Sequence, residues 1–194
     1  MVTAEKTYTL NDYLLRESRS RNKHEFYNGK IIRMAGAKAR YNQIAANLIG
    51  SLKYALRPLA RRFIVYNSDQ KIYIESENVG VYPDALVICD EPQFWQGRED
   101  LIVNPLLVVE VLSRSTASFD RSGKFLLYEQ IPSFQEYVLV EQNYARVESW
   151  FRTSEHSWDK TVQTDLNSTI QLRSAGVSLP LAEIYEHVRF ATSP

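Results

Sequence analysis

Hydrophobic and polar positions change period several times along the chain, and each change marks an element. In the opening stretch "TLNDYLLRESRSRN", Tyr13, Leu14 and Leu15 lie near one face and Thr9 or Asn11 stands where a cap belongs. A short helix followed by a basic loop is predicted. "HEFYNGKIIRM" then alternates about Asn28-Gly29, the strongest short hairpin signal, so residues 24–34 read as a hairpin. In "YNQIAANLIGSLKYAL", Ile44, Leu48, Leu52 and Leu56 recur at i+4 steps with Ala45, Ile49 and Ala55 beside them. That stripe predicts a core-facing amphipathic helix ending near "RPLARR".

Four strand-like runs follow, "FIVYNSD", "QKIYIES", "VYPDALVICD" and "LLVVEVL", separated by polar or proline-containing breaks. They read as one sheet. "SFDRSGKFLLYEQ" returns to a helical period and stops before Ile131-Pro132. "EYVLVE", "RVESWFR", "WDKTVQT" and "TIQLRS" are further strands, and "LPLAEIYEHV" is a last short helix. Helices and strands mix without strict alternation, and no repeat, low-complexity tract or linker interrupts them. The fold class expected is α+β or mixed α/β: a central mixed sheet flanked by helices, with an N-terminal hairpin and C-terminal strands.

Composition narrows this picture. With 194 residues, 44% of them hydrophobic, the chain fills one core more comfortably than two, so residues 1–194 are expected to form a single domain. Lys plus Arg equals Asp plus Glu at 23 each, which gives the whole molecule no drive toward nonspecific DNA binding and leaves room for a local basic patch. Cys89 is the only cysteine, and His24, His156 and His187 are far apart. No disulfide framework, zinc spacing or thiol nucleophile follows, and a reducing, cytoplasmic compartment is expected. The first residues lack an apolar leader and no window approaches the roughly 18 apolar residues of a membrane span, so a soluble, unsecreted protein is expected.

The chemistry begins with "NPLLVVEVLSRST", residues 104–116, where Glu110 interrupts a run apolar on both faces. An unpaired ionised carboxylate there would cost several kcal/mol, so Glu110 needs a partner. Asp84 is the same anomaly in the neighbouring run. It follows Pro83, which cannot donate to a ladder and suggests a strand start or bulge that re-aims a side chain. Asp120, Lys124 and Tyr128 fall at i, i+4 and i+8 on one helix face, beside Phe125 and Leu126 or Leu127, which would pack on the sheet. Gly123 within that helix costs about 1 kcal/mol relative to alanine. Two carboxylates with a lysine suit Mg²⁺-assisted phosphodiester hydrolysis, in which the ion keeps several waters and the amine orients or deprotonates one of them.

Those same residues carry a resemblance. "YPD" at 82–84, "VVEVLS" at 108–113, "ST" at 115–116, then Asp120, Lys124 and Tyr128, and "EYVLV" at 136–140 resemble the Uma-type endonuclease family, a branch of the PD-(D/E)xK restriction-endonuclease-like superfamily. "HEFYNGKIIRM" and "SDQKIYIE" are similar as well, and the likeness runs from about residue 8 to 188. It implies a restriction-endonuclease-like core and an endonuclease dependent on Mg²⁺ or Mn²⁺, with nucleic acid, DNA foremost, as partner. Asp84 and Glu110 would be metal ligands, the Val111 carbonyl a third, and Glu25 the N-terminal acid. The superfamily lysine belongs two residues after the second acid, where this chain has Leu112; Lys124 is its match on the next helix, supported by Asp120 and Tyr128. Arg114 stands where the branch often has proline, and Asn42 where histidine is frequent. Nuclease folds often pair two sites about a two-fold axis, so a homodimer is compatible.

Each assignment has a plainer alternative. Glu110 and Lys124 could be a structural ion pair, Asp84 a turn acid, Asp120 a first-turn acid favouring the helix dipole, and Tyr128 a packed aromatic. Arg114, Arg61 and Arg62 could meet phosphates, or the latter two could be a solvated helix end. "FWQGRED" at 94–100 could stack on a base, or Trp95 could close the core edge. The rival function is a catalytically silent nuclease fold serving as a nucleic-acid-binding or protein-interaction module.

Overall fold

The computed structural model describes residues 6–190. Helix α1 (Leu10–Glu17) begins at a capping box: the Thr9 hydroxyl accepts the Asp12 N–H at 3.1 Å and the Asp12 carboxylate accepts the Thr9 N–H at 2.9 Å. The hairpin follows as β1 (His24–Tyr27) and β2 (Lys30–Arg33). Asn28 (φ 41°) and Gly29 (φ 96°) are both left-handed, as the tight turn requires. Helix α2 (Ala39–Leu56) buries Ile44, Leu48, Leu52 and Leu56, the predicted stripe.

The remaining strands are β3 (Phe63–Asn67), β4 (Lys71–Ile74), β5 (Val79–Val81), β6 (Ala85–Cys89), β7 (Leu101–Ile102), β8 (Leu107–Leu112), β9 (Glu136–Glu141), β10 (Val147–Ser154), β11 (Ser157–Gln163), β12 (Thr169–Leu172) and β13 (Val177–Pro180). They form a six-stranded sheet in the order β11-β10-β9-β8-β6-β3, a five-stranded sheet in the order β2-β1-β5-β4-β7, and the pair β12-β13. The architecture is mixed α+β, with few helices flanking mixed sheets. The expectation that the four runs between residues 63 and 112 share one sheet is corrected: β3, β6 and β8 lie in one, β4 and β5 in another. The chain crosses between the sheets at 68–70 and again at Tyr82-Pro83-Asp84, where a residue without an N–H ends one ladder and the next begins. Hydrophobic alternation says which face of a strand is buried and leaves its partner open. The two-residue β7 and the proline-ended β13 escaped the pattern for want of length.

Strand β8 is covered on both sides. On one face α2 packs against Val87, Val109 and Val138; on the other Leu86, Val108, Leu112 and Leu139 meet Tyr128, Phe134 and Tyr137. Each large apolar side chain so buried contributes roughly 1.5–3 kcal/mol. The helix over the second face spans 117–129, and its segment Asp120–Lys124 widens into a π turn. A Cβ on Gly123 would collide with the Phe119 ring, so the glycine lets that ring lie across the widened turn. Phe125 packs on Trp150 and Trp158 while Leu126 faces solvent at 59% exposure, which selects Leu127 as the other sheet-facing residue. Among the described residues no helix is long and apolar enough to cross a membrane.

Candidate active site

Strands β6 and β8 are antiparallel with Ala85 opposite Val109 and Leu86 opposite Val108. At the next step the ladder slips by one residue, which brings Asp84 to the end of β6 beside the Val109–Val111 segment of β8. Asp84 stays bound to the strand it faces: its N–H donates to the Val109 carbonyl at 3.2 Å, and its Oδ2 accepts the Val111 N–H at 2.7 Å. The two anomalous carboxylates therefore converge at the end of β6, where Pro83 ended the previous strand.

Lys124 arrives from the 117–129 helix. Its amine lies 3.0 Å from Glu110 Oε1, 3.2 Å from Glu25 Oε1 and 3.9 Å from Asp120 Oδ1. Tyr128, one turn on, donates its hydroxyl to the same Glu110 oxygen at 3.0 Å. Glu25 comes from β1, where its Oε1 accepts the Tyr82 N–H at 3.3 Å and its Oε2 the Tyr27 hydroxyl at 2.7 Å. The Tyr137 hydroxyl donates to the Asp120 carbonyl at 3.1 Å, which pins the widened turn to the sheet. So Asp84, Glu110, Glu25, Lys124, Asp120 and Tyr128, predicted from the sequence, are brought together.

Tyr41, Tyr27 and Tyr82 were missed. The Tyr41 hydroxyl reaches from the first turn of α2 to both Asp84 oxygens, at 2.5 and 2.6 Å. The available signal was helical phase: Asn42 is exposed, and its neighbour about 100° away faces the sheet end.

Four acids share one buried cation, and their proton affinities show the strain. Burial raises Glu110 well above the ordinary carboxylate value; the charges of Asp84 and Asp120 add to this and Lys124 opposes it. Burial also raises Asp84, against the hydrogen bonds from Tyr41 and Val111, and raises Asp120 against Lys124. For Lys124, burial disfavours the charge, yet Glu110 and Glu25 outweigh it and hold the amine protonated. Uncompensated buried negative charge on hard oxygen donors is what a divalent cation relieves. Among the described residues no three acidic, histidine or cysteine side chains converge closely enough to hold an ion alone. Two carboxylates supply hard oxygen donors of the kind a divalent cation takes together with water.

Other predicted residues stand apart. Arg114 is exposed in the loop just past β8, at the Glu110 end of the sheet. Arg61 and Arg62 pair with Asp90 and Glu91 at the opposite end of β6 from Asp84 and do not join the site. His24 is buried against Glu17 at 2.9 Å, while His156 and His187 are exposed. Trp95 packs edge-on against Tyr73 with ring centres 5.1 Å apart, closing the core edge.

A pair of carboxylates from adjacent strands with a helix-borne lysine is carried on this mixed-sheet framework. Residues 10–182 match the Uma2 family model, described as "Putative restriction endonuclease", and the chain belongs to that family. Two Synechocystis relatives, the uncharacterised proteins sll1609 and slr1290, are 36% and 32% identical over 88% and 92% of this chain and 96% and 92% of their own lengths. A crystal structure from Anabaena variabilis, described as a "putative nuclease belonging to DUF820", superposes with a TM-score of 0.73 over 92% of this chain and 97% of its own, at 14% identity. That likeness establishes the fold.

Proposed function

We propose that this protein is a metal-dependent endonuclease that hydrolyses phosphodiester bonds in DNA. The observation that carries the reading is Asp84 bound at 2.7 Å to the Val111 N–H, next in the chain to Glu110, with the Lys124 amine 3.0 Å from Glu110. Asp84 and Glu110 would hold Mg²⁺ or Mn²⁺ with the Val111 carbonyl, which shares a strand edge with the N–H bonded to Asp84. A divalent cation there supplies Lewis-acid polarisation of a phosphoryl oxygen and acidifies water. Lys124, held protonated, donates to the attacking water and offsets charge growing on the phosphate, so its task is orientation and electrostatics rather than proton removal. Glu25 assists the ion or its water, and Asp120 and Tyr128 fix Lys124 and Glu110 in place. Arg114 would meet a phosphate from the exposed loop past β8. A two-fold pair of copies would present one site to each strand of a duplex.

A second reading, a nuclease fold that binds without cutting, is favoured by Leu112 at the usual lysine position and by the lack of a three-acid cluster among the described residues. Titrating Mg²⁺ and Mn²⁺ into wild type and Asp84→Asn with plasmid DNA separates the two. Metal-dependent nicking lost in the variant is expected; DNA binding without cleavage in wild type would refute the enzyme.

A further inference from the structure

On the same sheet face lies a second charge cluster that the proposed chemistry does not use. Glu148 of β10 is 2% exposed, yet three cations converge on it. Arg121 Nη2 and Arg146 Nε donate to Oε1 at 2.8 and 3.1 Å, and the Lys160 ammonium lies 2.6 Å from Oε2. Burial would raise this carboxylate, but the hydrogen bonds from Lys160, Arg121 and Arg146 bring it down to about 2, so it is ionised throughout the working range. It can neutralise one of the three. Glu141 approaches only Arg121, at 3.9 Å, so a positive excess remains.

Two features of the cluster point outward. Each cation keeps about a third of its side chain in solvent, at 34% for Arg121, 32% for Arg146 and 37% for Lys160, so none is spent inside the core. The strand registers also fix where the excess sits. Glu110 is opposite Leu139, and Leu139 is opposite Glu148, so Glu110, Leu139 and Glu148 form one row across the sheet. Two strand spacings separate Glu148 from Glu110, about 10 Å. The row runs from an acid-rich end needing a cation to a cation-rich end needing an anion. Arg40, at the start of α2 on the opposite face, contacts Asn143 in the turn before β10 at 3.4 Å. Exposed Tyr144 shares that turn.

We propose that Arg121, Arg146 and Lys160, held in position by Glu148, form a phosphate subsite that takes a backbone phosphate of the nucleic-acid strand whose scissile bond lies at Asp84 and Glu110. The subsite rests on the nuclease reading of that acid pair. It explains why a chain of zero net charge needs no basic surface overall: the cations are local and preorganised, and their carboxylate keeps them from collapsing onto the catalytic acids.

The test is binding of a duplex oligonucleotide by fluorescence anisotropy across a salt series with divalent ions chelated, so that no cleavage intervenes. Lys160→Gln, on an exposed edge strand, and Arg146→Gln are each expected to weaken binding and to reduce the slope of log K against log salt by about 0.9, one phosphate contact. Lys160→Arg is expected to retain the slope. Unchanged slopes alongside a lowered Tm would make the cluster a structural pin and overturn the subsite, leaving the nuclease reading intact. No DNA binding by wild type would overturn the subsite, while plasmid nicking with Mn²⁺ decides the nuclease reading separately.

Discussion

Tyr41 and Asp84 are 43 positions apart in the sequence, and the Tyr41 hydroxyl lies 2.5 and 2.6 Å from the two Asp84 oxygens. A neutral donor thus stands where a second cation would otherwise be needed. It orients the carboxylate and favours its ionised form without satisfying the local excess of negative charge.

Removing that donor tests its role. Tyr41→Phe leaves Asp84 with the Val111 N–H as its remaining oriented donor and raises its proton affinity further. Mn²⁺ affinity, measured by calorimetry at pH 7, is expected to fall about 10–100-fold, the usual effect of losing a ligand's hydrogen-bond partner. An unchanged affinity would mean that Asp84 does not ligate the ion.

Lys124→Met strips the only ammonium from a nest of four acids. Breaking a buried ion pair from one side typically costs about 3–5 kcal/mol, and urea unfolding at pH 7 is expected to show a loss of that order. The deficit should shrink on acidification. Glu110, Asp84 and Asp120 already hold protons more tightly folded than unfolded, so the penalty from their charge grows as pH rises through the raised folded values and is relieved below the ordinary carboxylate range.

A divalent cation should stabilise the folded chain for the same reason. At one hundred times its Kd a ligand specific to the native state adds about 2.7 kcal/mol, and a rise in Tm with Mn²⁺ is expected at pH 7. Near pH 4 the raised acids hold protons that compete with the ion, and the rise should largely vanish. A shift independent of pH would place the ion elsewhere.

Glu148 behaves oppositely. Its folded proton affinity is below the ordinary value, so its contribution is present above about pH 4.5 and disappears as pH falls toward 2. Acid titration of wild type against Glu148→Gln, followed by circular dichroism, should show stability curves that converge at the acid end. Persistent separation there would mean that the cluster's worth is packing.

Arg62→Ala serves as the contrasting case. Its partner Glu91 is exposed and the pair lies at the far end of β6, so stability should change by under about 1 kcal/mol and the salt slope of DNA binding should not move.

Much of this was legible in the order of residues. Thr9, one of two candidate caps, announced α1, Asn28-Gly29 announced the hairpin, and a lone acid in each of two apolar runs announced that Asp84 and Glu110 needed company. Gly123 counted against a long regular helix, and the helix does widen there, but only the packed structure shows the Phe119 ring that occupies the space it leaves. The one-sheet reading failed for a related reason: Val79–Val81 and Ala85–Cys89 have the same apolar character, and nothing in that character names a neighbour.

By itself the sequence determined the local elements, the faces they bury and the presence of charges that could not stand alone, since these depend on short-range periodicity and on solvation. Tertiary structure decided which charges meet. The Tyr41 hydroxyl on Asp84, the Glu25 contact to Lys124 and the row from Glu110 to Glu148 arise from strand register and helix docking. Those pairings are non-local, set by how whole surfaces fit, and no window of the chain contains both partners.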